Sequence, residues 1–143
     1  MQPSNAMNRQ ERIDLIIDHF ENPRHVGPLE RADVVYGSDN PACGDVITVY
    51  LRADGGNGPA ALAFEGQGCT ISQAAASMTM EMLHGLTLEQ IEAASVEPLL
   101  ARLGPEIASV RQPCATLAFN LVKHAADTLQ LQRVGATQTG KVF

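Results

Sequence analysis

Basic residues are scarce in this chain. Ten Lys+Arg stand against sixteen Asp+Glu, a net charge of −6, and no basic run occurs. Nucleic-acid affinity rests mostly on Lys and Arg at phosphates, so that class of partner is not expected. Long apolar runs are missing too, and none approaches the ~20 residues a membrane helix needs. Cysteine occurs only three times. An odd count cannot close into a complete disulfide framework, which argues against a small secreted scaffold. Tryptophan is absent and aromatics make up 4%. Hydrophobic residues nevertheless reach 45%, too many for a disordered chain. A length of 143 residues suits one domain and is short for two.

Residues 1–9 carry neither an apolar core nor a charged start of the kind an export signal has. Ser4-Asn5-Ala6-Met7 resembles a cloning scar, so 1–6 are read as a tag remnant or disordered segment. A single domain over 7–133 and a tail over 134–143 are expected, with a cytoplasmic location where thiols stay reduced.

The spacing Ile13, Ile16, Ile17, Phe20 predicts one apolar helix face. Asn22-Pro23 ends that helix. Val34-Val35-Tyr36 is β-prone. Ile47, Val49 and Leu51 alternate with polar residues, and Leu62 and Phe64 share one face of a further strand. The turn at Gly55-Gly56-Asn57-Gly58-Pro59 joins the last two into a hairpin. A helix over 71–84 is closed by Gly85. Thr87-Leu88-Glu89-Gln90 is a capping box, with Leu86 and Ile91 as its staple. A short helical run over 98–103 is stopped by Gly104-Pro105. Pro113 opens a last helix, with Leu117, Leu121 and Leu129 along one side. The predicted class is α+β: a three-stranded antiparallel sheet with helices packed on one face.

Each cysteine sits at a junction. Cys43 lies in Asn40-Pro41-Ala42-Cys43-Gly44-Asp45, and in extended chain Cys43 and Asp45 share a face. Cys69 follows Gly66-Gln67-Gly68, and Cys114 follows Pro113. The latter two fall near helix N-termini, where the dipole and free N–H groups favour a negatively charged sulfur. Three thiolates and one carboxylate would complete a tetrahedral Zn²⁺ site. Cysteine-rich sites also suit iron–sulfur clusters. The structural alternative is burial for packing, the commonest fate of a free cysteine. The intervals of 26 and 45 residues match no local zinc-ribbon pattern. His19, His84 and His124 read as surface or satisfied helix residues, and Met78, Met80 and Met82 as core and helix surface.

The surroundings of the three cysteines resemble the NifU/IscU/SufU family of iron–sulfur cluster assembly proteins. Asn40-Pro41-Ala42-Cys43-Gly44-Asp45 is similar to the family's first cysteine motif. Gly66-Gln67-Gly68-Cys69-Thr70-Ile71-Ser72 is similar to the second, and Arg111-Gln112-Pro113-Cys114-Ala115-Thr116-Leu117-Ala118 to the third. Asp18-His19-Phe20-Glu21-Asn22-Pro23-Arg24 resembles its N-terminal segment. The resemblance implies a SufE/NifU-like α+β fold whose three cysteines converge at one exposed end. It implies Cys43, Cys69, Cys114 and Asp45 as ligands of a transient [2Fe–2S] cluster or of Zn²⁺. It implies a PLP-dependent cysteine desulfurase as sulfur donor and apoproteins as cluster recipients. Cys43 and Cys114 are the expected sulfur acceptors, Asp45 the weak ligand and Arg111 a docking group.

Two branches stay open. The scaffold branch usually has His before its third cysteine, where this chain has Pro113. The string from Arg111 to Ala118 looks more like the zinc-dependent sulfurtransferase branch, yet the 45-residue interval suits the scaffold. The Leu-Pro-Pro-Val-Lys segment read by a specialised Hsp70 chaperone is replaced at 106–110, so that partner is not expected. A cysteine hydrolase would want His and carboxylate partners for its thiol. A structural zinc domain would have a closed site essential for folding.

Overall fold

The computed structural model describes residues 7–40, 45–53 and 58–135. Residues 1–6, the loop around Cys43 (41–44), most of the glycine-rich turn (54–57) and the end of the tail (136–143) fall outside the described residues, and so do the expectations that rest on them.

Helix α1 (Arg9–Glu21) opens on a capping box in which Asn8 and Glu11 exchange side chain-to-backbone hydrogen bonds, and it stops at Asn22 before Pro23. Its buried face differs from the expected one. Ile16 is buried, whereas Ile13, Ile17 and Phe20 are 38%, 45% and 44% exposed. The helix is turned so that His19, 1% exposed, points inward instead. The reason lies in helix α2 (Thr70–Leu83). Ser77 Oγ accepts the Arg24 N–H at 2.9 Å and lies 2.7 Å from His19 Nδ1. His19 Nε2 lies 3.4 Å from the Glu81 carboxylate. Burial holds the His19 imidazole below its ordinary pKa, helped by the Arg24 charge.

Strands β1 (Val34–Asn40), β2 (Asp45–Ala53) and β3 (Ala60–Gln67) form an antiparallel sheet in the order β1-β2-β3. Asp45, Ile47, Val49, Leu51 and Ala53 alternate inward along β2, and all are buried. A strap at His25–Gly27 covers the free edge of β3. The Phe64 N–H donates to His25 O at 3.0 Å, and the Gly27 N–H donates to Phe64 O at 2.8 Å. His84 caps α2, as expected of a residue at the helix end, but its side chain serves the sheet: Nδ1 accepts the Leu62 N–H at 3.0 Å. His124 stacks on Tyr36.

The inner face of the sheet is covered by α2 and by α6 (Gln112–Gly135), which also pack on each other. Both helices bury small residues. Ala74, Ala75 and Ala76 of α2 and Ala115, Ala118, Ala125 and Ala126 of α6 are all buried. The inward stripe of α6 is therefore these alanines with Phe119, Val122 and Leu129. Leu117 and Leu121, expected to lead it, are only partly buried against the core. Met78 and Met80 are core residues and Met82 packs against the core. Helix α3 (Leu88–Ala93) has the anticipated Thr87–Gln90 capping box. Helix α4 (Glu97–Leu103) ends at Gly104, as expected, but the chain does not continue as a loop. Pro105 opens a further helix, α5 (Pro105–Val110). Its missing N–H costs nothing in a first turn, and Glu106 adds a favourable charge there. Gly104, at φ +98, makes the corner, and a Cβ on it would lie 2.6 Å from the Arg12 Nε that crosses it. No helix of the described residues is long and apolar enough to cross a membrane.

Candidate metal and sulfur site

Asp45 is the first inward residue of β2 and has no exposed surface. The backbone of the Gly66-Gln67-Gly68 segment runs tightly past it. A Cβ on Gly66 would meet Ile47 Cδ1 at 2.5 Å and the Val46 carbonyl at 2.7 Å. A Cβ on Gly68, whose φ is +152, would meet Asp45 Oδ1 at 2.2 Å. Glycine at both positions lets the turn between β3 and α2 close over the carboxylate.

That turn delivers Cys69. Its N–H donates to Asp45 Oδ1 at 2.9 Å. Its Sγ serves as the N-cap of α2 and accepts the Ser72 N–H at 3.4 Å. Ser72 Oγ returns a hydrogen bond to the Cys69 carbonyl at 3.1 Å. Cys69 is a free, partly exposed thiol. Cys114, in the first turn of α6, is 1% exposed. One ligand atom from each of Asp45, Cys69 and Cys114 lies within 4.8 Å of the others. No other such group of His, Cys, Asp and Glu occurs among the described residues. The predicted fourth member, Cys43, falls outside them.

The donor set fits a thiophilic metal. Two sulfurs and a carboxylate suit Zn²⁺ or an iron–sulfur cluster. Tetrahedral ligands of zinc stand roughly 3.3–3.8 Å apart, so a small inward closure is enough. Asp45 Oδ2 points to the same role: it is buried and has no hydrogen-bond partner. A buried carboxylate oxygen without a donor is costly unless a cation completes it. The expected exposed end is only partly exposed. Asp45 and Cys114 are enclosed where α2 and α6 start, and of the three described ligands Cys69 is the one that is partly exposed.

Beside Cys69 runs a groove of about 380 Å³, lined by Ile71, Glu106, Ile107, Val110 and Arg111 among others. Arg111, singled out from the sequence, is exposed, and its carbonyl accepts the Ala115 N–H that starts α6. Ile107 and Val110 were not legible as site residues, because the groove wall is α5. Pro105 at a helix start with Glu106 behind it was the available signal. Ser72, whose N–H caps on sulfur, was likewise missed.

The profile of the NifU-like N terminal domain matches residues 11–135. The chain belongs to that family. An iron–sulfur cluster assembly scaffold protein IscU of Archaeoglobus fulgidus is 34% identical over 112 residues, covering 78% of this chain and 72% of the relative. The zinc-dependent sulfurtransferase SufU of Bacillus subtilis is 41% identical over 75 residues, 52% of this chain and 50% of that protein. Among solved structures, a protein described as an iron–sulfur cluster assembly scaffold for the SUF system from Fervidobacterium islandicum superposes with a TM-score of 0.63 at 25% identity. That match covers 79% of this chain and 94% of the other. This NifU-like domain thus has sequence relatives in both branches and shares its sheet and helix arrangement with a protein of the SUF system.

Proposed function

We propose that this NifU-like domain is an iron–sulfur cluster assembly scaffold. It accepts sulfur from a cysteine desulfurase, holds a [2Fe–2S] cluster as transient cargo, and yields it to recipient apoproteins, in the cytoplasm. The observation that carries this reading is the convergence of Asp45, Cys69 and Cys114 within 4.8 Å. Cys43, two residues before Asp45 in sequence, is the proposed remaining ligand.

The chemistry of the chain follows from the contacts. Asp45 has one oxygen fixed by the Cys69 N–H and one unpartnered, so it presents a single preset oxygen. Oxygen is a harder donor than thiolate and binds soft ions less firmly. Asp45 is therefore the ligand that lets go, which suits cargo that must leave. The glycine turn and the α2–α6 contact keep water from the inner donors. Arg111 provides a positive charge beside the opening for a docking partner.

A second reading has its own support in the 41% identity to the zinc-dependent SufU: here a resident Zn²⁺ on the same four residues would hold the thiols while sulfur is passed on. Anaerobic purification followed by metal and sulfide analysis separates the two. Iron and sulfide with a visible absorption band after reconstitution with a desulfurase are expected for the scaffold. One zinc per chain without visible absorbance supports sulfur transfer. Neither metal, with no stimulation of a desulfurase, overturns both.

A further inference from the structure

Strand β3 lies at the edge of the sheet, and its outer side is closed in three ways. The Ala60 N–H donates to Leu86 O and the Gly85 N–H to Ala60 O, each at 2.8 Å. The Leu62 N–H donates to His84 Nδ1 at 3.0 Å. The Phe64 N–H and carbonyl pair with His25 and Gly27 of the strap. The last two closures meet, because the His25 and His84 rings stack with centroids 4.0 Å apart and planes at 16°. We propose that these two histidines form an acid-operated latch on the edge of β3. Protonation of the pair removes the acceptor from the Leu62 N–H, drives the rings apart and lets the His25–Gly27 strap lift from Phe64.

A backbone N–H only donates, so His84 Nδ1 accepts and the ring proton sits on Nε2. A second proton enters at Nδ1, where it faces the Leu62 N–H donor to donor. Two imidazolium rings at 4.0 Å also repel each other. Glu81, one turn before His84 on α2, is the carboxylate that acts on His25. It is already shared by Arg102 Nη1 at 3.3 Å, His19 Nε2 at 3.4 Å and Arg24 Nε at 3.8 Å. Arg24 in turn is paired with Asp18 at 2.7 Å. Partial burial and the facing His84 hold the His25 imidazole below its ordinary range, with Glu81 opposing them.

The strap is strained and lightly held. His25 has φ +57 and Gly27 φ +112. A residue other than glycine stays in the left-handed region only while its contacts hold it there. Val26, between the two, is 57% exposed, so little apolar burial pins the strap. His25 and His84 are both exposed, and protons reach them directly. Cys69 and His84 cap opposite ends of α2, which keeps the latch apart from the metal site.

The test is amide hydrogen exchange of the full chain, followed by NMR and corrected for the intrinsic rate at each pH. The comparison runs from about pH 7.5 to about pH 5.5, the span of imidazole titration. Protection at Leu62 and Phe64 is expected to fall about tenfold more than at Val49 in the central strand, the factor that one linked proton contributes per pH unit. Equal loss at all three amides would mean that the whole fold loosens together, and would overturn the latch. His84→Asn keeps a side-chain acceptor that does not titrate, and it is expected to abolish the excess loss at Leu62. His25→Asn tolerates the left-handed backbone and is expected to abolish the excess at Phe64. An excess that persists unchanged in either variant removes that histidine from the latch and overturns the pairing.

Discussion

The Cys69 N–H reaches across 2.9 Å to Asp45 Oδ1, joining the start of α2 to the start of β2. One backbone amide thus orients the proposed oxygen ligand and places a proposed sulfur ligand beside it. The other Asp45 oxygen is left without a partner. Substitutions at Asp45 are expected to separate these two roles. Asp45→Asn retains an oxygen acceptor for the amide, whereas Asp45→Ala removes it and costs about 1–3 kcal/mol. Asp45→Ala should nevertheless hold a reconstituted cluster longer, because the weak donor is gone. Transfer of the cluster to an apo-ferredoxin, followed by absorbance, measures this. Release as fast as in the unaltered chain would remove Asp45 from its role.

Gly68 should be intolerant of any side chain. The backbone at φ +152 and a Cβ 2.2 Å from Asp45 Oδ1 both oppose alanine. Backbone strain alone costs about 1–3 kcal/mol. Gly27, at φ +112 with nothing within 4 Å of where a methyl would stand, provides the comparison. Gly27→Ala should show the backbone cost only. Gly68→Ala should be less stable than Gly27→Ala in thermal unfolding, and it alone should weaken zinc binding in a competition titration.

Acid should weaken the fold before its carboxylates titrate. His19 is held below the ordinary imidazole pKa of 6.5 by burial, and His25 by burial and its stacked neighbour His84. The unfolded chain therefore binds protons that the folded chain refuses. Stability from these groups is complete above about pH 6.5 and is lost as pH falls below that value, levelling off under the folded pKa values. The midpoint of thermal unfolding is expected to drop from about pH 7 to about pH 5.5, the span of imidazole titration. His19→Asn should flatten part of that slope, with His25 accounting for the rest. Ser77→Ala, which strips a partner from both His19 Nδ1 and the Arg24 N–H, should cost about 1–3 kcal/mol.

The α2–α6 contact should resist enlargement. Ala76 and Ala125 are fully buried, and Ala→Leu at either is expected to cost about 1–3 kcal/mol through overpacking. Leu131→Ala, at a residue 61% exposed on the same long helix, should change stability by less than about 0.5 kcal/mol. Chemical denaturation of the three variants makes the comparison. Equal effects would mean that the two helices are not closely seated.

Much of this was legible because it depends on local rules. The alternation in β2 and β3, the Thr87–Gln90 box and the Pro113 helix start follow from period and capping, and they stand in the fold. The three cysteine motifs led to the family, whose profile matches residues 11–135. Less legible were features decided by what lies across the interior. Ile13, Ile17 and Phe20 form a better apolar stripe than Ile16 and His19, but Ser77 on α2 offers His19 a partner that the α1 sequence cannot reveal. Leu117 and Leu121 yield to alanines, because close helix approach rewards small residues over large apolar ones. Gly104-Pro105 serves equally as an end and a beginning, and in the fold it is both: α4 closes on Gly104 and α5 opens at Pro105. The burial of Asp45 and Cys114 required two helix starts to meet, which no local pattern encodes.

The cap on α2 has one more consequence. The sulfur of Cys69 satisfies the Ser72 N–H, so the same atom that would carry cargo also anchors the first turn of a helix. Whatever takes that sulfur's lone pairs competes with the anchor. Occupancy of the site would then be written into the hydrogen-exchange rate of a single amide, readable without seeing the cargo at all.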